Sequence, residues 1–314
     1  MKISIVMIRK DRPELNEIEL NSLVYQNYPK DDYELVVLDD STTIDTPSVF
    51  KKFEDRINIQ FYHFDNWKKS STHYVGVTGR LNLTPHVNLG IRKAQGNIII
   101  LEAAESVHIG ESLFYFEKIH ESHPTTTYIP ALWEVDKDAF ELYNWVQHPE
   151  NLWQNPRAWK TKKNPTNSDM ITDAYGFLTI SMRKAQWLRL GGMYESTMPG
   201  YDLWCGCEDE MLMRRILRSD CKVIMGDKYI MGPIWHPPNT SADYTTNNEE
   251  YKGKIRARIH KDAGYTGHHT YNKYYRPGTE KLPIKADTDW THSGMPNNAD
   301  MWNLDETIER LTNA

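Results

Sequence analysis

Three consecutive carboxylates, Glu208-Asp209-Glu210, follow the stretch Trp204-Cys205-Gly206-Cys207 and lead into an apolar-periodic run from Met211 to Leu217. Acidic residues suit the first turn of a helix, where they face the positive end of its dipole, so part of this cluster reads as capping. Two further acidic segments argue for chemistry. Asp39-Asp40 ends one apolar run, and Glu102 to Glu105 ends another. Carboxylates at the ends of several strands of one open α/β sheet meet in one crevice, at the edge where such sheets bind ligands. An acid-lined crevice is a place to handle a divalent cation, a diphosphate and a proton.

The elements that must position these acids alternate from the first residues. Residues 2–8 are apolar and β-branched and predict a strand; Pro13 then opens a helix through about residue 25, with Leu15, Ile18, Leu20 and Leu23 as its stripe. Strands are expected at 33–38 and 57–62, and a helix at 85–95 closed by Gly96. Residues 97–101 form a continuous Ile/Leu run, the pattern of a strand buried on both faces. A helix at 110–120, strands at 126–131 and 176–182, a helix at 183–189 and short strands at 222–225 and 229–231 complete the series. This rhythm predicts an α/β fold with a mostly parallel, doubly wound sheet. Residues 134–167, rich in Trp, Asn, Pro and Lys, read as a long insertion lining the site. From Pro237 onward the chain is polar, with one amphipathic run at 299–311, and is expected to wrap the core.

Composition narrows the function. The net charge of −6 disfavours a broad nucleic-acid-binding surface, which relies on clustered Lys and Arg. Three cysteines, two of them in Cys205-X-Cys207, give neither a disulfide framework nor a familiar zinc spacing. The apolar N-terminal run is short and meets Arg9-Lys10-Asp11-Arg12 at once, unlike a signal peptide, and no run reaches transmembrane length. A cytoplasmic protein is expected.

Five ordered segments resemble the family 2 glycosyltransferases of the GT-A fold. They are Ser4 to Ile8 with Ser22-Leu23-Val24-Tyr25-Gln26-Asn27-Tyr28-Pro29; Tyr33 through Asp39-Asp40-Ser41; Asn88-Leu89-Gly90-Ile91 through Gly96 and Ile100; Phe177 to Met182 with Gly191-Gly192-Met193-Tyr194-Glu195; and Glu208-Asp209. The resemblance spans about three quarters of the chain. It implies a GT-A domain over residues 1–236, with a nucleotide-sugar half at 1–110 and an acceptor half at 111–236, followed by an extension at 237–314. It further implies an inverting transfer from a nucleoside-diphosphate sugar, UDP-linked in expectation, to a hydroxyl acceptor.

The resemblance gives Asp40 the nucleotide contact and sets Ile8 and Lys10 against the base, with Arg80 a candidate for base or phosphate. From position alone, this pair is as open to an Asx-turn or a helix cap as to a ligand contact, the turn or cap suiting Asp39 better than Asp40, and an exposed loop role is open for Arg80. The family's Asp-X-Asp metal segment is altered here to Glu102-Ala103-Ala104. Glu105, His108 and Gly110 match a variant of that segment. Glu105 is therefore expected to supply the carboxylate for Mn²⁺ or Mg²⁺, with Glu102 as a neighbouring sugar contact and His108 holding the loop. Hard cations need few protein ligands beside phosphate oxygens and water. Capping without metal is the alternative for Glu105. His236, in Ile234-Trp235-His236-Pro237, is read as a further metal ligand or as a packing residue.

Asp209 is the expected catalytic base, taking the acceptor's proton as its oxygen attacks the anomeric carbon, with Glu208 binding hydroxyls. The acceptor stays open among glycans, other hydroxyl compounds and a hydroxylated nucleobase in DNA. The altered Asp-X-Asp leaves a second reading, a catalytically silent GT-A-like module that binds sugar nucleotides or glycans.

Overall fold

The computed structural model describes residues 1–9, 13–39, 45–63, 83–135, 159–163, 179–190, 192–193, 212, 216 and 221–234. Lys10, Asp40, Arg80, Glu208, Asp209 and His236 lie outside the described residues, as do most of the Trp-rich insertion and all of 237–314.

The strands are β1 (Ile3–Arg9), β2 (Tyr33–Asp39), β3 (Ile59–His63), β4 (Ile98–Glu102), β5 (Ser106–His108), β6 (Thr126–Val135), β7 (Trp159–Lys163), β8 (Thr179–Arg183) and β9 (Lys222–Pro233). The helices are α1 (Pro13–Val24), α2 (Asp45–Lys51), α3 (Leu83–Lys93), α4 (Ser112–Ser122) and α5 (Lys184–Arg189). One sheet runs β3-β2-β1-β4-β8-β6-β9-β5, and β7 pairs with β6.

The block β3-β2-β1-β4 is parallel throughout. Beyond β4 the pairing is mixed: β8 is antiparallel to β4 and β6, while β6 and β9 run parallel. The α/β class expected from the sequence therefore holds, with the antiparallel insertions starting at β8. β1, β2 and β4 are buried on both faces, which is why they read as unbroken apolar runs rather than alternating ones. Their side chains divide by parity. Ile3, Ile5, Met7, Leu35, Val37, Ile98 and Ile100 pack under α1, α2 and α4. Val6, Val36, Leu38, Ile99 and Leu101 pack under α3 and α5 with Trp187. Each such aliphatic side chain contributes about 1.5–3 kcal/mol on burial.

At the amino end of the strands a buried polar knot replaces apolar packing. Glu34 accepts hydrogen bonds from Ser4 Oγ (2.5 Å), Gln60 Nε2 (2.6 Å) and the Gln95 backbone N–H (2.5 Å). Ser4 Oγ in turn accepts from the Gly96 N–H at 2.7 Å. A Cβ on Gly96 would lie 2.6 Å from the backbone of Ile3 and Ser4, so this position tolerates no side chain.

The two short strands expected at 222–225 and 229–231 are one strand, β9. Gly226 lies within it, where a Cβ would collide with the Tyr128 hydroxyl on neighbouring β6. No helix among the described residues is long and apolar enough to cross a membrane.

Candidate functional site

Parallel pairing fixes which residues share the carboxyl edge of the sheet. Arg9 pairs with Asp39, Asp39 with His63, and Met7 with Glu102. The ends of β1 to β4 thus bring Ile8, Asp39, His63 and Glu102 to one rim, and Glu105 follows three residues beyond Glu102.

Asp39 is fully buried, and its Oδ2 lies 2.6 Å from His63 Nδ1. A carboxylate only accepts, so this contact places the Nδ1 proton on His63. The sequence reading gave Asp39 to a turn or cap and did not single out His63. Their pairing is set by β2–β3 register, which no local spacing reveals. Arg9 is also buried and is bonded to Asn16 and Glu19 of α1, so it is a structural cation under the rim. Ile8 is partly buried and packs onto the core beneath α3.

Glu102 is 3% exposed, at the last position of β4. Its Oε2 sits 3.0 Å from His108 Nε2, while Oε1 is buried and has no hydrogen-bond partner among the described residues. A carboxylate oxygen left without a partner at this depth is costly, and a group that donates to it would relieve that cost. His108 Nδ1 contacts Ser112 Oγ at 2.7 Å, and Ser112 donates to Gln26 Oε1 at 3.1 Å. The Ser22 hydroxyl accepts from the His108 N–H at 3.1 Å. The Ser22-to-Gln26 segment of α1 and its C-terminal end therefore clamps β5 and the start of α4. Tyr28 extends the clamp by donating from its hydroxyl to Glu117 at 3.0 Å, and burial with the nearby Glu117 raises its phenol well above the ordinary range.

His108 was expected to hold the loop after Glu105. Its ring engages Glu102, before that loop, and its backbone ties β5 to α1. Glu105 is partly exposed. Its carbonyl accepts from the Ile234 N–H at 2.8 Å, and Ser106 N–H bonds to Ala103 O at 3.1 Å. Ile234, where the described chain ends two residues before His236, is thereby fastened to the Glu105 loop. Among the described residues no group of three His, Cys, Asp or Glu side chains could hold a metal. A site built on Glu105 thus draws its remaining ligands from other segments, phosphate oxygens and water, which suits a hard cation.

Two more of the sequence segments prove to be joined. Asn88 Nδ2 donates to Met193 O at 2.7 Å, and Met193 N–H donates to Asn88 Oδ1 at 2.8 Å. The α3 segment thus pins the turn that precedes, in sequence, the acids at 208–210.

No protein-family profile matches the chain, and no curated protein sequence matches it. Solved structures do. Residues 1–349 of S. aureus TarS in complex with UDP-GlcNAc superpose with a TM-score of 0.58 at 14% identity, covering 93% of this chain and 69% of that one. Another crystal structure of the same TarS segment gives 0.51 at 15% identity, covering 96% and 83%. Its complex with UDP gives 0.50 at 15% identity, covering 88% and 76%. The fold is GT-A-like. At these identities the likeness speaks for architecture alone.

Proposed function

We propose that this chain is a glycosyltransferase that moves a sugar from a nucleoside-diphosphate sugar to a hydroxyl acceptor with inversion. The reading rests on one observation above others: the buried Glu102 carboxylate with an unmatched oxygen, at the rim that also carries Asp39 and Glu105. It is supported by the TarS likeness, since that protein holds UDP-GlcNAc on a similar fold.

In this reading residues 1–110 bind the donor, 111–236 the acceptor, and 237–314 form an extension. Asp40, Lys10, Ile8 and Arg80 surround the nucleotide. Glu102 Oε1 accepts a hydroxyl of the donor. Glu105, with His236, holds Mn²⁺ or Mg²⁺, and a cation bound there would stabilise the negative charge that develops on the departing diphosphate. Asp209 takes the proton of the acceptor hydroxyl as that oxygen forms its bond to the anomeric carbon and the carbon–diphosphate bond breaks. Glu208 orients hydroxyl groups.

The experiment is calorimetric titration with UDP, GDP and their sugars, with and without Mn²⁺, followed by assay of slow donor hydrolysis. Saturable, metal-enhanced binding of one nucleotide sugar with release of free sugar is the expected result. Glu102-Ala103-Ala104, in place of Asp-X-Asp, favours a second reading as a silent sugar-nucleotide-binding module. Binding without any hydrolysis or transfer would decide for that reading, and no binding at all would refute both.

A further inference from the structure

We infer that Glu102 and His108 hold one proton between them, forming a charge-neutral pair that lets a buried glutamate lie beside a diphosphate without repelling it. The inference deepens the proposed function and rests on it only for the identity of the anion.

The proton follows from counting donors along the chain of contacts. Gln26 has four partners. Its Nε2 faces the carbonyl oxygens of Ser22 (3.4 Å) and His108 (3.5 Å), which can only accept. Its Oε1 faces the Leu113 N–H (3.4 Å), which can only donate. Backbone groups from α1, β5 and α4 therefore fix the orientation of the amide, leaving Oε1 as the acceptor for Ser112. The single hydroxyl proton of Ser112 is used on Gln26 at 3.1 Å. With the hydroxyl turned to Gln26, Ser112 Oγ accepts from the imidazole, and a proton is assigned to His108 Nδ1, 2.7 Å away.

That assignment leaves His108 Nε2 facing Glu102 Oε2 at 3.0 Å. A bare ring nitrogen and an ionised carboxylate oxygen would repel at this separation. The contact is a hydrogen bond only with a proton between them, on Nε2 or on the carboxyl. Both arrangements sum to zero charge. Both side chains are inaccessible to solvent, so water does not screen a net charge there. A lone buried carboxylate would oppose any anion brought to the same rim. Neutralised through Oε2, Glu102 keeps Oε1 as an uncompensated acceptor. Gln26, the neutral residue that orients this chain of donors, lies 76 positions from Glu102 in the sequence.

Two measurements test the pair. The first is ¹⁵N NMR of the full chain with labelled histidine, His108 being assigned from the spectrum of His108→Gln. A proton on Nδ1 of His108 is expected, and a ring protonated on Nε2 alone would overturn the inference. This arm needs no ligand. The second is UDP binding by calorimetry in the presence of Mn²⁺. His108→Gln keeps an N–H for Glu102 Oε2 but brings no extra proton, so the carboxylate stays charged and UDP affinity falls roughly tenfold, the equivalent of about 1.4 kcal/mol. In the double variant His108→Gln/Glu102→Gln the charge is gone, and UDP binds at least about threefold more tightly than to the single variant. Circular dichroism verifies that both variants fold; if His108→Gln does not, His108→Asn and its Glu102→Gln double replace it. An unchanged single variant, or a double variant as weak as the single, refutes the neutral pair. A wild type that binds neither UDP nor UDP-GlcNAc refutes the proposed function, while the NMR arm still decides the pair.

Discussion

Replacing Asn88 with alanine removes both bonds of the amide that clamps Met193. Asn88 is 3% exposed and Met193 1%, so water has no ready access to the groups left behind. The two lost bonds, at 2.7 and 2.8 Å, contribute about 1 kcal/mol each. The Met193 N–H and C=O are then left without this partner in the interior, at about 1–3 kcal/mol for each group that finds no other. With one of these two groups finding another partner and the other left unsatisfied at the low end, the expected total is about 3 kcal/mol, which lowers the melting temperature by roughly 4–5 °C for a chain of 314 residues. Asn88→Asp is the sharper probe. It preserves an acceptor for the Met193 N–H but sets a carboxylate oxygen against the Met193 carbonyl, so it is expected to be no more stable than the alanine variant. Urea unfolding followed by tryptophan fluorescence gives both numbers. A loss below about 0.5 kcal/mol for Asn88→Ala, or a wild-type midpoint for Asn88→Asp, would refute the clamp as the element joining α3 to this turn.

Gly96→Ala drives a methyl group to 2.6 Å from the β1 backbone and should cost at least about 3 kcal/mol, read as loss of soluble folded protein or a lowered urea midpoint. Burial, helped by the charges of Arg183 and then His123, pushes the His120 imidazole down to about 4. The folded state therefore resists a proton that the unfolded chain accepts below its ordinary value of 6.5, and stability falls as pH drops from 6.5 toward 4. Between pH 6.5 and 5 the contribution is about 1.5 kcal/mol, and a His120→Gln variant with the wild-type slope in urea midpoints would contradict it. Glu105→Ala is expected to abolish the Mn²⁺ enhancement of donor binding; an unchanged metal dependence removes Glu105 from that role. Asp209→Asn should eliminate transfer while donor affinity stays within a few-fold, and an active variant would show that the base lies elsewhere.

The core strands were legible because burial on both faces leaves no room for polar alternation: the Ile/Val/Leu runs of β1, β2 and β4 announce themselves within a residue or two. The helices α1, α3, α4 and α5 were legible for a similar reason, through Pro13, Gly96 and apolar spacing. β5 and β7 were not. Ser106–His108 and Trp159–Lys163 are strands by virtue of partners in β9 and β6, more than 120 and about 30 residues away, and carry little local signal. Within the site, the convergence of acids was readable as strand ends, whereas the pairings Asp39–His63 and Glu102–His108 depend on register and on a turn through β5. Motif segments that looked like ligand contacts proved partly to be scaffolding. Ser22, Gln26 and Asn88 each spend their polar groups on other motif segments. Lys10, Asp40, Arg80, Glu208, Asp209 and His236 lie outside the described residues, and their roles are proposals.

The peptide group linking Glu105 to Ser106 is held at both ends, its oxygen by Ile234 and its N–H by Ala103. That plane cannot rotate without breaking two bonds at once. Whatever ligand Glu105 meets therefore has only side-chain torsions left to freeze, with an entropic cost of up to about 2 kcal/mol, and escapes the further 1–2 kcal/mol per residue that ordering a loose loop would add. The loop is preorganised by its own main chain, and a weakly charged site can on that account still hold its ligand tightly.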